Sequence, residues 1–257
     1  MERIAQWYDF TGKVAVVTGG SRGIGRAIVQ GFAEAGADVV IASRKMENCE
    51  SAAREVTSST GRTALPVAYH AAHWDDSDAL IDTVYEEFGR CDVLVNNAGM
   101  SVLYPDLASI TEDYYDKVHG VNLKGPFRAS VLAGTRMAAT DAGGVIINVS
   151  TIGSIRPSRT ELVYACAKSG LNALTIGLAD AFGPRVRANC IMPGPVLTDI
   201  AKAWTEEQRS AIARANPLQR AAYAEDYVGT ALWLASDASS YVNGVILRVD
   251  GGMYRQM

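Results

Sequence analysis

Short, unbroken apolar runs recur along this chain, separated by helical tracts of roughly 10–15 residues, and that alternation means a parallel sheet wound on both faces. The runs are Lys13–Thr18, Asp38–Ala42, Ala64–Tyr69, Asp92–Val95, Val145–Val149, Arg187–Met192 and Val245–Val249. They are apolar throughout rather than alternating, as strands buried on both faces must be. Helical pattern follows the first run as far as Gly36, then covers Lys45–Ser58, Ser77–Phe88, Thr111–Ala139, Glu161–Phe182 and Glu225–Ala235. The expected fold is α/β: one doubly wound, seven-stranded parallel sheet flanked by helices. We find no linker, repeat or low-complexity tract, so residues 1–257 read as one domain. Within it, 1–11 form an N-terminal extension, and an amphipathic segment around 195–215 reads as a lid over a loop.

Composition narrows the functions. Net charge is −4 and the sequence holds no basic run or stripe, which argues against nucleic acid as partner. No apolar run reaches the roughly 18 residues of a bilayer-spanning helix. Met1–Phe10 lacks the apolar region of a signal peptide. The four cysteines (Cys49, Cys91, Cys166, Cys190) are widely spaced, as reduced thiols of a cytoplasmic protein are. His70 and His73 stand too isolated to argue for a metal.

The first run feeds Thr18-Gly19-Gly20-Ser21-Arg22-Gly23-Ile24-Gly25. A glycine-rich turn between strand and helix lets backbone approach a pyrophosphate at the positive helix N-terminus. Gly19, Ser21, Arg22, Gly23, Ile24 and Gly25 are therefore candidate nucleotide-binding residues. The spacing is G-x-x-x-G-x-G rather than G-x-G-x-x-G. The second run ends Ser43-Arg44, where an acid would favour NAD through the ribose 2′-hydroxyl. With no acid there, and with guanidinium groups at Arg44 and Arg22 suited to a 2′-phosphate, NADP(H) is favoured and NAD(H) possible. A solvated Arg44 and tolerance of either cofactor is the plain alternative.

In such a sheet, ligands sit beyond the carboxyl ends of the strands. The fourth run leads there into Asn96-Asn97-Ala98-Gly99, in which asparagine can tie strand ends together and Ala98 and Gly99 leave room for a cofactor. Asn122 is an amide in an otherwise apolar helical stretch; it reads equally as a satisfied core amide or as part of a proton relay. Ser150 and Thr151 close the fifth run, and Pro193, Gly194, Val196 and Thr198 follow the sixth. Tyr164 and Lys168 stand four apart and share one helix face. An ammonium beside a phenol favours the phenolate, so the Tyr164 pKa is expected to fall from its usual value near ~10.

Taken together and in this order, the T-G-x-x-x-G-x-G loop, Asn96–Gly99, Asn122, Tyr-x-x-x-Lys (Tyr164, Lys168), the Pro193-Gly194 segment with Thr198, and the closing Asp250-Gly251-Gly252 resemble the short-chain dehydrogenase/reductase family. The resemblance runs from Gly12 to Gly252. It implies a Rossmann fold, NAD(P)(H), hydride transfer between nicotinamide and a ketone or alcohol carbon, and often a homotetramer or homodimer. It also implies roles. Tyr164 exchanges a proton with the substrate oxygen. Lys168 holds the nicotinamide ribose and, aided by a cationic nicotinamide, lowers the Tyr164 pKa. Asn122 positions a water, and a nearby hydroxyl holds the substrate oxygen. Asn96, Ala98, Gly99, Pro193, Gly194, Val196 and Thr198 line the cofactor.

Two positions depart from the pattern. The hydroxyl counts to Thr151 from Asn148 or from Tyr164, and to Ser150 from Gly153; we favour Thr151, a threonine where a serine is usual. The aspartate common after the third strand is replaced by Tyr69-His70-Ala71-Ala72-His73-Trp74, with His70 in its place or a backbone amide serving instead. The substrate pocket is expected from Met100–Asp106, Ile152–Val163 and 195–215. It mixes Leu103, Tyr104, Ile155, Leu197, Trp204 and Ile212 with Arg156 and Arg159. The partner is then a small carbonyl or alcohol compound. A cofactor-binding relative without turnover, acting as a sensor or scaffold, is the competing reading.

Overall fold

The computed structural model describes residues 2–197 and 205–254. A short helix α1 (Glu2–Trp7) occupies what the sequence marks only as an extension. Then β1 (Val14–Thr18), α2 (Gly23–Glu34), β2 (Asp38–Ser43), α3 (Met46–Thr60), β3 (Ala64–Ala68), α4 (Trp74–Phe88) and β4 (Val93–Asn96) alternate. The second half carries α5 (Glu112–His119), α6 (Gly125–Ala138), β5 (Gly144–Val149), α7 (Leu162–Phe182), β6 (Val186–Pro193), α8 (Glu206–Ala215), α9 (Val228–Ala235) and β7 (Ile246–Val249). The seven strands form one sheet in the order β3-β2-β1-β4-β5-β6-β7, every pair parallel.

Both faces of the sheet are covered, and successive residues of β1 serve opposite cores. Ala15 and Val17 pack with Ile28, Phe32, Val56 and Leu234 on one face. Val14 and Val16 pack with Leu80, Val84, Met137 and Leu178 on the other. All five residues of β1 are buried, which is why the run reads as unbroken apolar sequence. Asp92 anchors the strand's start: its carboxylate accepts from the Val14 amide at 2.9 Å and pairs with Arg90.

Three element expectations change. The tract 111–139 is not one continuous α-helix. A π turn over Gly120–Lys124 separates α5 from α6, and it brings this wall against the loop after β3: a β-carbon on Gly125 would sit 1.9 Å from the Ala71 carbonyl oxygen. Helix α4 starts at Trp74, three residues before the apolar pattern begins, because Asp75 and Asp76 favour its positive N-terminus. Helix α7 does have the length and hydropathy of a bilayer-crossing segment, against the expectation that none does. It packs on β6, β5 and α6 and buries Lys168 on that side, while Ile176 on another side is exposed.

Candidate functional site

Strand order reverses between β1 and β4, whose neighbours β2 and β5 lie on opposite sides, and the crevice opens beyond their carboxyl ends. Buried polar side chains hold these ends in register. The Thr18 hydroxyl accepts from the amides of Asn97 and Ala98, each at 3.1 Å. The Asn97 side chain donates to the carbonyls of Thr18 at 3.0 Å and Gly19 at 3.2 Å. Asn96 ties β4 to its neighbours: its amide donates to Ser130 of α6 at 2.8 Å and to Asn148 of β5 at 2.9 Å. Both Asn96 donors are therefore engaged, and the residue that ties β4 to the end of β1 is Asn97. The turn is expected to tie strand ends through asparagine, and both asparagines do so, Asn96 toward β5 and Asn97 toward the end of β1; only Asn97 is missing from the candidate cofactor residues.

The glycine loop leaves β1 with Gly19 at φ 66° and enters α2 through Gly23 at φ 56°, conformations that side chains with a β-carbon rarely adopt. Gly25 is required for a different reason. A β-carbon there would lie 2.4 Å from both the Asn97 amide nitrogen and the Gly19 carbonyl oxygen. Arg22 precedes α2, and no side chain caps that helix. Arg22 is exposed, Ser21 and Ile24 half-buried, and Ile24 leans on the core. Ser43 ends β2 half-buried, and Arg44 beyond it is exposed and makes no ion pair among the described residues. Beside Arg44, His70 and His73 stack with ring centroids 4.1 Å apart, so they are not isolated as their sequence positions suggest. Burial, the neighbouring His73 and the Arg44 charge hold His70 below the usual histidine range.

Helix α7 runs beneath the other half of the crevice. Lys168 is 2% exposed; its Nζ donates to the Val149 carbonyl at 2.7 Å and lies 5.8 Å from the Tyr164 ring centroid. Burial lowers its pKa to about 8. Tyr164 is half-buried, and burial together with the Glu161 charge pushes its phenol above the usual tyrosine value. This reverses the expected direction: desolvation of the phenolate outweighs an ammonium that is bonded to a backbone carbonyl.

The Asn122 carbonyl oxygen accepts from the Met100 amide at 3.2 Å, and its amide donates to the carbonyls of Met100 and Val118, each at 2.8 Å. Asn122 is thus a satisfied core amide that pins the start of the substrate-side loop and takes up a carbonyl in the turn before the π segment. It also stands close to the candidate chemistry. A β-carbon on Gly99 would lie 3.3 Å from the Asn122 oxygen and 3.8 Å from Lys168 Nζ, so both groups look onto one glycine.

The two candidate hydroxyls part company. Ser150 is buried, and its hydroxyl donates to the Lys168 carbonyl at 3.3 Å. Thr151 is half-buried; its hydroxyl accepts from the Gly153 amide at 3.2 Å, and among the described residues its proton goes to no acceptor. Pro193 ends β6, Gly194 lies against Asp250, where a β-carbon would come to 3.1 Å of its Cα, and Val196 pairs with Ala222. Thr198 and Trp204 lie outside the described residues. Of the expected lid, α8 is described, capped by Thr205 and Gln208, and none of its residues is buried. Arg156 and Arg159 are exposed. Among the described residues no three His, Cys, Asp or Glu side chains gather as metal ligands.

The residues fit a dinucleotide. Loop glycines make a cradle that β-carbons would fill, at the start of a 12-residue helix. Lys168 carries three donors, of which the described hydrogen bonds engage one.

Comparison with known proteins agrees with this geometry. A family model described as enoyl-(acyl carrier protein) reductase matches residues 19–254. The short chain dehydrogenase/reductase astE of Aspergillus oryzae is 36% identical over 96% of this chain and 97% of its own length. The L-rhamnose 1-dehydrogenase (NAD(P)(+)) of Azotobacter vinelandii is 37% identical over 94% of this chain and 96% of its own. A Beutenbergia cavernae structure solved with NADP at low occupancy superposes with a TM-score of 0.90 at 34% identity, covering 96% of this chain and 98% of that one. With its seven-stranded Rossmann-like sheet, its glycine cradle and Tyr164 one helical turn from Lys168, the chain belongs to the short-chain dehydrogenase/reductase family of oxidoreductases.

Proposed function

We propose that the protein is an NADP(H)-dependent oxidoreductase acting on a ketone or secondary alcohol carbon, with Tyr164 as general acid/base. The observation that carries this reading is Lys168, a buried ammonium with donors that the described hydrogen bonds leave unengaged, one turn from Tyr164 and beside Gly99. When bound, the nicotinamide supplies or takes the hydride. The chain does the rest. Gly19 to Gly25 admit the pyrophosphate to the α2 N-terminus, and Arg22 and Arg44 offer exposed guanidinium groups to a 2′-phosphate. Lys168 donates to ribose hydroxyls. Thr151 donates its proton to the substrate oxygen, and Ser150 holds the α7 backbone at Lys168. Tyr164 passes a proton to that oxygen in reduction and removes it in oxidation, a role worth roughly 10²–10⁴ in rate. Its raised pKa suits the donor role. Removal of the proton draws on added positive charge beside the phenol.

Titration of the purified protein with NADPH and with NADH, followed by nicotinamide fluorescence, tests the reading. Tighter NADPH binding is expected, and Arg44→Asp is expected to move the preference about ten-fold toward NADH. Preferred NADH binding overturns the cofactor assignment and leaves the Tyr164–Lys168 chemistry standing. Binding of neither overturns the reading as a whole.

A further inference from the structure

We propose that Tyr104 is a positioning residue that joins the two walls of the substrate pocket and sets the first turn of α7, on which Tyr164 rides. The inference rests on the reading of Tyr164 given above. It starts from an unusual helix end. The residue before α7, Glu161, gives no side-chain cap, so the opening amides of the helix need partners from elsewhere. The Leu162 amide finds one in the hydroxyl of Tyr104, 58 residues away, at 2.8 Å. The same hydroxyl donates to the Arg159 carbonyl at 2.9 Å, so its proton and an oxygen lone pair are both directed at the segment that turns into α7. Tyr164 follows Leu162 by two residues.

Tyr104 is itself held firmly. It is 7% exposed and packs with Val118 and Val163, against Met100, Tyr114 and Tyr164. Its ring meets Tyr114 edge-on at 5.9 Å, and the Tyr114 hydroxyl donates to the Val102 carbonyl. A second strut joins the same walls, from the Ser101 hydroxyl to the Glu161 carboxylate at 3.3 Å. The loop from Met100 to Tyr104 is therefore pinned by Asn122 at its start and fastened by Tyr104 at its end. The rim around it stays open: Val102, Leu103 and Leu107 are exposed, so the fastening lies beneath the surface a substrate meets. A hydroxyl linking loop and helix start couples the placement of the loop to the orientation of the phenol.

Tyr104→Phe keeps the ring and removes only the link. Hydrogen exchange on the full-length protein is the first test. The variant is expected to exchange about ten-fold faster in residues 100–106 and in 159–164, with the rest of the chain unchanged. Tyr114→Phe serves as control and should speed the loop alone. The second readout is the ring-carbon NMR signal of Tyr164, expected to shift in Tyr104→Phe and to hold in Tyr114→Phe. A purely structural role would lower Tm evenly and leave that signal in place. Unchanged exchange at 159–164, or an unmoved Tyr164 signal, overturns the proposal. Neither readout needs cofactor or substrate. A chain that fails to bind NADPH can still pass this test, and one that turns over can still fail it.

Discussion

On the nucleotide side of the crevice Gly25 lies so near Asn97 and Gly19 that no β-carbon fits; on the substrate side, Met100 to Tyr104 hang from the side chains of Asn122, Tyr104 and Ser101. The first region packs a glycine against the Gly19 backbone and the Asn97 side-chain amide. Its shape follows from a residue that cannot be larger, and a change there meets the Gly19 backbone and an Asn97 side chain already bonded to Thr18 and Gly19. The second is joined by side-chain hydrogen bonds whose partners are far apart in sequence, each worth about 0.5–1.5 kcal/mol net. A family can keep one dinucleotide seat while altering its substrates if the seat is steric and the pocket wall is held by replaceable contacts.

Separating the two regions by mutation is the way to break this contrast. Tyr164→Phe should give the largest effect, cutting turnover by about 10³ while the cofactor Kd stays within about two-fold. Steady-state kinetics beside a binding titration read both; near wild-type turnover would remove Tyr164 as the acid/base. Gly25→Ala should do the converse. Its methyl collides with the Asn97 amide and the Gly19 carbonyl, so the loop must shift. Overpacking of this kind costs about 1–3 kcal/mol, which we expect as a Kd for NADPH raised by roughly 10–10² and a lower melting temperature. Retained affinity and Tm would show that the seat is softer than its geometry implies. The smallest effect sharpens the choice of hydroxyl. Thr151→Val should lower turnover about ten-fold at unchanged stability, whereas Ser150→Ala should cost about 1 kcal/mol of stability with a smaller change in turnover. The reverse pattern, from urea unfolding and kinetics of both variants, would reassign the role to Ser150.

Much of the site was legible in the chain because its constraints are local. The glycine loop declares itself where a positive φ or a missing β-carbon is needed, and Tyr164 and Lys168 are neighbours by helical geometry alone. Asn122 stood out as a polar residue in apolar surroundings, although its partners, the Met100 backbone and the Val118 carbonyl, did not. Asn97 was legible only as one of two asparagines in a turn and Tyr104 only as a pocket residue, because nothing near them in sequence shows what they touch: their partners stand 78 or 79 and 55 or 58 residues away.

The sequence by itself determined the parallel sheet, its seven strands and the edge at which ligands gather, since burial on both faces and short connecting helices leave little other arrangement. Tertiary structure decided what depends on depth and on distant neighbours. It turned the Ser150 hydroxyl to the Lys168 backbone and left the Thr151 proton without an acceptor among the described residues. It also set the direction of the Tyr164 pKa: helical spacing brings an ammonium one turn away, but the packing of α7 desolvates the phenol and engages that ammonium with the Val149 carbonyl. A spacing rule counts neighbours along one helix, whereas desolvation is a property of everything that surrounds it.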